Sequence, residues 1–178
     1  MIRLFAALAL PDEIAEGLVR RQRGLPRARW RPTEAFHITL RFFGEVSEAK
    51  ADDIDVELSR VGGGALSLAL EGVGSFQEGE EIRAVWAGVA ENAPLRALAA
   101  RCETAARRAG LRPERRNWRP HVTLAYLRRA EPTRVAAWIQ GHNLLKSPPF
   151  EATSFGLYSS WLGDEAASYR LERAYPLG

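Results

Sequence analysis

The tetrad His-[Ile/Val]-Thr-Leu occurs twice, as His37-Ile38-Thr39-Leu40 and as His121-Val122-Thr123-Leu124, and it uses two of the chain's three histidines. In an extended strand, successive side chains point to opposite faces. Each tetrad therefore puts an imidazole and a hydroxyl on one face, and Ile or Val with Leu on the other. The apolar face must cover a core, which leaves the polar face looking elsewhere. The second tetrad starts 84 positions after the first, at 121 against 37, a spacing far beyond a solenoid repeat. A chain that mixes such strands with helical stretches cannot be a simple bundle. The expected architecture is α+β: one bilobal domain over 1–178, with each lobe supplying an equivalent motif strand.

The flanking sequence supplies the other elements. "RLFAALAL" is a continuous apolar run suited to a buried strand. "PDEIAEGLVRRQRGL" starts as a helix should, with Pro11 and acidic residues in its first turn, and spaces Ile14, Leu18 and Leu25 along one side. After the first motif strand "FHITLRFFGEV", Ser47 caps a helix whose inner stripe is Ile54, Leu58 and Val61. "ALSLALEGVGSF" and "IRAVWAGVA" are expected to pair as strands across a polar turn. The second half repeats this grammar: a helix from Pro94 to Ala109, the strand "HVTLAYL", the helix "EPTRVAAWIQGH", and two closing strands in "FEATSFGLYSSWL" and "SYRLERAYPL".

Composition narrows the setting. Of 178 residues, 46% are hydrophobic, enough for one substantial core, and no apolar run of about 18 residues implies a membrane span. The opening "MIRLFAALALP" is short, lacks a convincing cleavage site and leads straight into a helix start, so a strand is expected there and not a leader. Cys102 is the sole cysteine and lies at helical spacing with Leu95, Leu98 and Ala105. That usage fits a buried thiol in a cytoplasmic protein, and with no heptad seam a monomer is expected. Arginines crowd ahead of both tetrads, at 20, 21, 23, 27, 29 and 31, and again at 112, 115, 116 and 119. They suit a polyanionic partner or a solvated, arginine-biased surface.

Two His-x-Thr faces meeting across a cleft have a definite chemical use. Imidazole titrates near neutrality, so one histidine can take a proton while the other gives one. Between them, in-line displacement at phosphorus is the natural reaction, with threonine hydroxyls donating to the non-bridging oxygens as charge develops. Neither a metal nor a nucleotide cofactor is needed. Metal-site spacing is absent: there is no H-x-x-x-H, H-E-x-x-H or cysteine pair, and His142 falls at a helix end. Ser159 and Ser160 lack the G-x-S-x-G elbow, and there is no P-loop. Phe5, Trp86 and Tyr158 sit in apolar strands, where packing is expected ahead of base stacking. Arg41, two residues beyond Thr39, is expected either to lend charge to the cleft or to form a salt bridge at its rim.

With these residues in view, the chain resembles the two-histidine phosphoesterases, and within them the bacterial and archaeal RNA 2',3'-cyclic phosphodiesterases, also called 2'-5' RNA ligases. The resemblance runs nearly end to end, through "RLFAALALP", "FHITLRFFGEVS", "AVWAGV", "RRNWRPHVTLA" and "FGLYSSWLG". It implies two pseudo-symmetric lobes with antiparallel sheets lining a central cleft and helices outside. It also implies metal-independent opening of a 2',3'-cyclic phosphate on an RNA end or nucleotide to a 2'-phosphate. His37 and His121 become the acid–base pair, with their order left open by symmetry, and Thr39 and Thr123 the phosphate-binding hydroxyls. Many relatives carry Arg five residues after the second histidine; here that position is Tyr126, followed by Arg128 and Arg129. Tyr126 and Arg128 join Arg41 as candidate substrate contacts. Two alternatives remain: a phosphodiesterase for small cyclic nucleotides such as ADP-ribose cyclic phosphate, and a non-catalytic RNA-binding module.

Overall fold

A continuous apolar run suits a strand covered on both faces. The computed structural model, which describes residues 1–178, buries every residue from Leu4 to Leu8 in strand β1 (Ile2–Ala9). After helix α1 (Asp12–Val19) come a two-residue strand β2 (Arg29–Trp30), one turn of 3-10 helix (Thr33–Ala35), and the first motif strand β3 (His37–Val46). Helix α2 (Glu48–Ser59) is capped as expected: the Ser47 hydroxyl accepts from the Lys50 amide at 3.2 Å, and Ile54 and Leu58 face inward. Strands β4 (Leu66–Leu68), β5 (Leu70–Glu78) and β6 (Glu81–Val89) follow, then helix α3 (Ala93–Arg108), the second motif strand β7 (His121–Tyr126) and helix α4 (Pro132–His142). Strands β8 (Phe150–Ala152), β9 (Ser154–Leu162) and β10 (Ala167–Pro176) close the chain.

The strands form two antiparallel four-stranded sheets, ordered β10-β9-β1-β3 and β2-β7-β6-β5, plus the small pair β4-β8. The lobes are not the two halves of the chain. The closing strands β9 and β10 return to sit beside β1, while β5 and β6 from the first half flank β7. The helices lie on the outer faces, α2 against β1 and β10, α3 against β3, and α4 against β5. No helix is long and apolar enough to cross a membrane.

Register shows how closely the lobes correspond. In the first sheet Ala9 pairs with His37 and Ala7 with Thr39; in the second Gly88 pairs with His121 and Trp86 with Thr123. Both motif strands then carry an extra residue at the same place, Leu40 and Leu124, because Ala6 pairs with Arg41 and Val85 with Ala125. Such bulges bend a strand and strengthen its local twist. One strand further out, Gly156 opposes Ala7 and Gly74 opposes Trp86, with Tyr158 and Phe76 two residues beyond. Strands β3-β1-β9 and β7-β6-β5 are thus equivalent ribbons.

Alternation along the motif strands is as the tetrads require. Ile38, Leu40, Val122 and Leu124 are each at most 2% exposed and belong to one core cluster of 41 residues that runs under both sheets. Burying each such side chain stabilises the fold by about 1.5–3 kcal/mol. A slip by one residue would turn all four into the cleft, so the core fixes which way the histidines face. The lobes are also stitched together by hydrogen bonds. Trp118, just before β7, donates its indole N–H to the Thr39 carbonyl at 3.0 Å.

Gly74 lies under the Trp86 ring, where a Cβ would come within 2.4 Å of it. Gly74→Ala is therefore expected to destabilise the protein by about 1–3 kcal/mol through overpacking, measured as a lower urea midpoint at unchanged m-value.

Candidate active site

Each histidine is the first residue of its motif strand, and the backbone just before it turns a carbonyl back onto the ring. His37 Nδ1 lies 3.2 Å from the Ala35 carbonyl oxygen, and His121 Nδ1 lies 2.8 Å from that of Arg119. A carbonyl can only accept, so Nδ1 carries the proton in both rings and the neutral imidazoles present a bare Nε2. The same i−2 arrangement in both lobes follows from the equivalent starts of β3 and β7.

Aromatic side chains from neighbouring strands hold the rings in place. Phe5 and Ala7 project from the cleft side of β1 and form a separate small cluster with Tyr158, which Tyr169 packs against. His37 rests on this cluster, with ring centroids 4.5 Å from Tyr158, 5.6 Å from Tyr169 and 6.0 Å from Phe5. His121 has the corresponding support from Phe76 at 4.7 Å, edge to face, and Trp86 at 6.1 Å. Phe5, Trp86 and Tyr158 are therefore neither main-core residues nor free base platforms; they brace the imidazoles.

Burial among these rings pushes both histidines below the ordinary value of 6.5, since desolvation penalises the cation. The carbonyl bonds oppose the shift, while Arg31 near His37 and Arg119 near His121 add to it. Thr39 and Thr123 lie on the same strand faces as the histidines, half-buried, and their hydroxyls make no hydrogen bond within the protein and are not sealed from solvent. Both can donate to a ligand.

Two grooves open onto this region. One, of about 580 Å³, brings together Thr39 from the first lobe and His121 from the second, with Phe42, Phe76, Trp118 and Arg119 along its walls. The other, of about 890 Å³, is lined by Phe5, Arg31, Phe42, Tyr126 and Tyr169. Phe42, 59% exposed, lines both grooves.

The remaining candidates separate. Arg41 lines the first groove, but its charge is not free: the guanidinium forms a salt bridge with Glu103 of α3 and donates to the Phe42 carbonyl and, at 2.8 Å, to that of Arg112. The bulge at Leu40 breaks the regular alternation on which a shared Thr39–Arg41 face depended. Tyr126 lines the second groove. Arg128 lies past the end of β7, exposed, on the order of 20 Å along the chain from His121 at strand spacing, and lines neither groove. His142 ends α4 against Trp138, and the Cys102 thiol, fully buried, is pushed up to about 12. No group of three or more His, Cys, Asp or Glu side chains is placed to ligate a metal ion. Arg31, Trp118, Phe76 and Tyr169 are contributors the tetrads do not announce. Only the aromatic residue in the run "GSFQEG" and the alternation in "SYRLERAYPL" hinted at the last two.

Known proteins resemble this chain in sequence and fold. The profile of the 2'-5' RNA ligase superfamily matches residues 10–163. The chain belongs to that superfamily. An RNA 2',3'-cyclic phosphodiesterase of Archaeoglobus fulgidus is 29% identical over 98% of this chain and 99% of its own length. One from Aeropyrum pernix is 40% identical over a shorter stretch, 54% of this chain and 56% of that protein. The crystal structure of E. coli LigT complexed with 3'-AMP superposes with a TM-score of 0.78 at 28% identity, covering 99% of this chain and 98% of that one.

The ring environment predicts the titration. In an NMR pH titration, the His37 and His121 midpoints are expected below 6.5, and Arg119→Met is expected to raise that of His121 by removing a neighbouring positive charge. A midpoint above 6.5 for either ring would contradict the described burial.

Proposed function

We propose that this chain hydrolyses 2',3'-cyclic phosphate ends of RNA or nucleotides to 2'-phosphates, with His37 and His121 as the acid–base pair. The reaction class follows from membership of the superfamily and from similar proteins that share the name RNA 2',3'-cyclic phosphodiesterase. The observation that carries the mechanism is the matched pair of Nδ1-to-carbonyl bonds, which leaves two bare Nε2 atoms on equivalent strands.

The step balances with these groups alone. One neutral histidine takes a proton from water as its oxygen attacks phosphorus. The P–O3' bond breaks opposite, and the other histidine, protonated, gives its proton to O3'. The phosphate stays on O2'. Thr39 and Thr123 donate to the non-bridging oxygens, whose charge grows in the transition state. With a ribose 5'-hydroxyl in place of the attacking water, the same displacement forms a P–O5' bond as P–O3' breaks and joins two RNA pieces without ATP, although bulk water favours hydrolysis. A cytoplasmic monomer acting without metal or nucleotide cofactor completes the proposal.

The test is incubation of purified protein, with EDTA and without ATP, with an oligoribonucleotide ending in a 2',3'-cyclic phosphate. A 2'-phosphate product is expected. His37→Ala and His121→Ala should each lower kcat by about 10²–10⁴-fold, and Thr39→Val and Thr123→Val by about 10²–10³-fold. Near wild-type turnover in either histidine variant would overturn the assignment. The pH dependence has a definite sign. Catalysis needs one ring charged and one neutral, and both free-enzyme pKa values lie below 6.5, so kcat/KM should peak on the acid side of 6.5 and fall as pH rises. A maximum on the alkaline side of neutrality would contradict it.

A further inference from the structure

Arg31 is the anomaly of the second groove. It is one of only two polar or charged residues buried in the molecule, at 5% exposure, and no carboxylate lies within ion-pairing distance of it. Its guanidinium donates a single hydrogen bond, to the Ala167 carbonyl at 3.0 Å, although it has five N–H groups to offer. Two phenol rings flank it, with Cζ 5.5 Å from the Tyr126 centroid and 5.4 Å from that of Tyr169. Ring faces attract a cation, and Nε and Nη1, which make no hydrogen bond within the protein, are not sealed from solvent and so stay open to a ligand. The backbone pins it there: the Arg31 amide donates to the Leu124 carbonyl at 2.8 Å, and the Gln22 side chain bridges the Arg31 and Leu124 carbonyls at 2.7 and 3.1 Å. An arginine fixed in place, buried and under-bonded at the wall of a groove is arranged to meet an anion.

Its position says which anion. The Tyr169 ring that touches Arg31 also stands 5.6 Å from the His37 ring. Arg31 is therefore next door to the reacting site, with Tyr169 beside both. The groove is large enough for a nucleotide, offers exposed Phe42 and half-exposed Tyr126 as ring surfaces, and is lined by Arg3 and Arg29 as well as by Asp164 and Glu165. Arg3 is paired with Glu45, and Arg29 donates to the Glu165 carbonyl, so Arg31 is the unpaired buried cation there.

We infer that Arg31 binds the phosphodiester on the 5' side of the nucleotide that carries the cyclic phosphate, and so makes RNA ends the substrate class in preference to cyclic mononucleotides. This rests on the phosphodiesterase reading above. A substrate with that phosphodiester neutralises the buried charge; a mononucleotide leaves it unmatched.

The test uses the wild-type protein with three substrates: a diribonucleotide ending in a 2',3'-cyclic phosphate, the same molecule with an uncharged methylphosphonate linkage, and a nucleoside 2',3'-cyclic monophosphate. The charged dinucleotide is expected to exceed the methylphosphonate in kcat/KM by roughly 10- to 100-fold, the range of a charge-assisted hydrogen bond. In Arg31→Met that ratio should fall to about one, whereas a purely structural role would lower both substrates together and keep the ratio. Equal wild-type turnover of all three overturns the role of Arg31 while leaving the reaction standing. A ratio that persists in Arg31→Met assigns the phosphodiester to another group and also overturns it. No turnover of any of the three overturns the reaction itself, and this inference with it.

Discussion

Each motif strand has to be apolar on one face and polar on the other, and the rest of the structure follows from that demand. Ile38, Leu40, Val122 and Leu124 are sealed in a single core, and this fixes the opposite faces as the place where His37, Thr39, His121 and Thr123 stand. The helices complete the arrangement by covering the outer sides of the sheets. The matching bulges at Leu40 and Leu124 end each regular stretch just after its threonine. Beyond them the two strands are free to differ, and they do: Arg41 turns to Glu103 of α3, while Ala125 and Tyr126 pair with β2.

Placing the imidazoles is then a matter of local backbone and neighbouring rings. A carbonyl two residues earlier sets the tautomer, and aromatic side chains from the two adjacent strands set the ring position. The same rings strip water from the histidines and lower their proton affinity. Neutral rings suit the removal of a proton from water. In the proposed reaction the other ring must be protonated, and an anionic phosphate beside it favours that charged form. Geometry and titration are thus set by one set of contacts, so a change at Phe5, Tyr158, Phe76 or Trp86 alters both.

What was legible in the sequence is what depends on near neighbours. Period-two alternation exposed the motif strands, and the Ser47 cap with Ile54 and Leu58 exposed α2. The weak repetition of the two tetrads revealed a two-lobed α+β plan. Strand partnership was not legible. The return of β9 and β10 to β1, and the placing of β5 and β6 beside β7, are long-range pairings that no local pattern encodes. β2 is two residues long, too short to carry a period, yet its pairing with β7 is what buries Arg31 and distinguishes it from the arginines around it. For Arg41 the sequence left two roles open, and the salt bridge with Glu103 is the one the structure shows; the bulge at Leu40 cannot be seen in a strand that otherwise alternates without fault.

Both imidazoles are expected to carry their proton on Nδ1 and to leave Nε2 bare. Nitrogen-15 NMR of the ring nitrogens, recorded above the titration midpoints, tests it directly. His37 and His121 are both expected to be Nδ1–H tautomers, and product bearing a 2'-phosphate is expected to perturb Nε2 of each. An Nε2–H tautomer at either residue, or Nε2 signals indifferent to product, would contradict it.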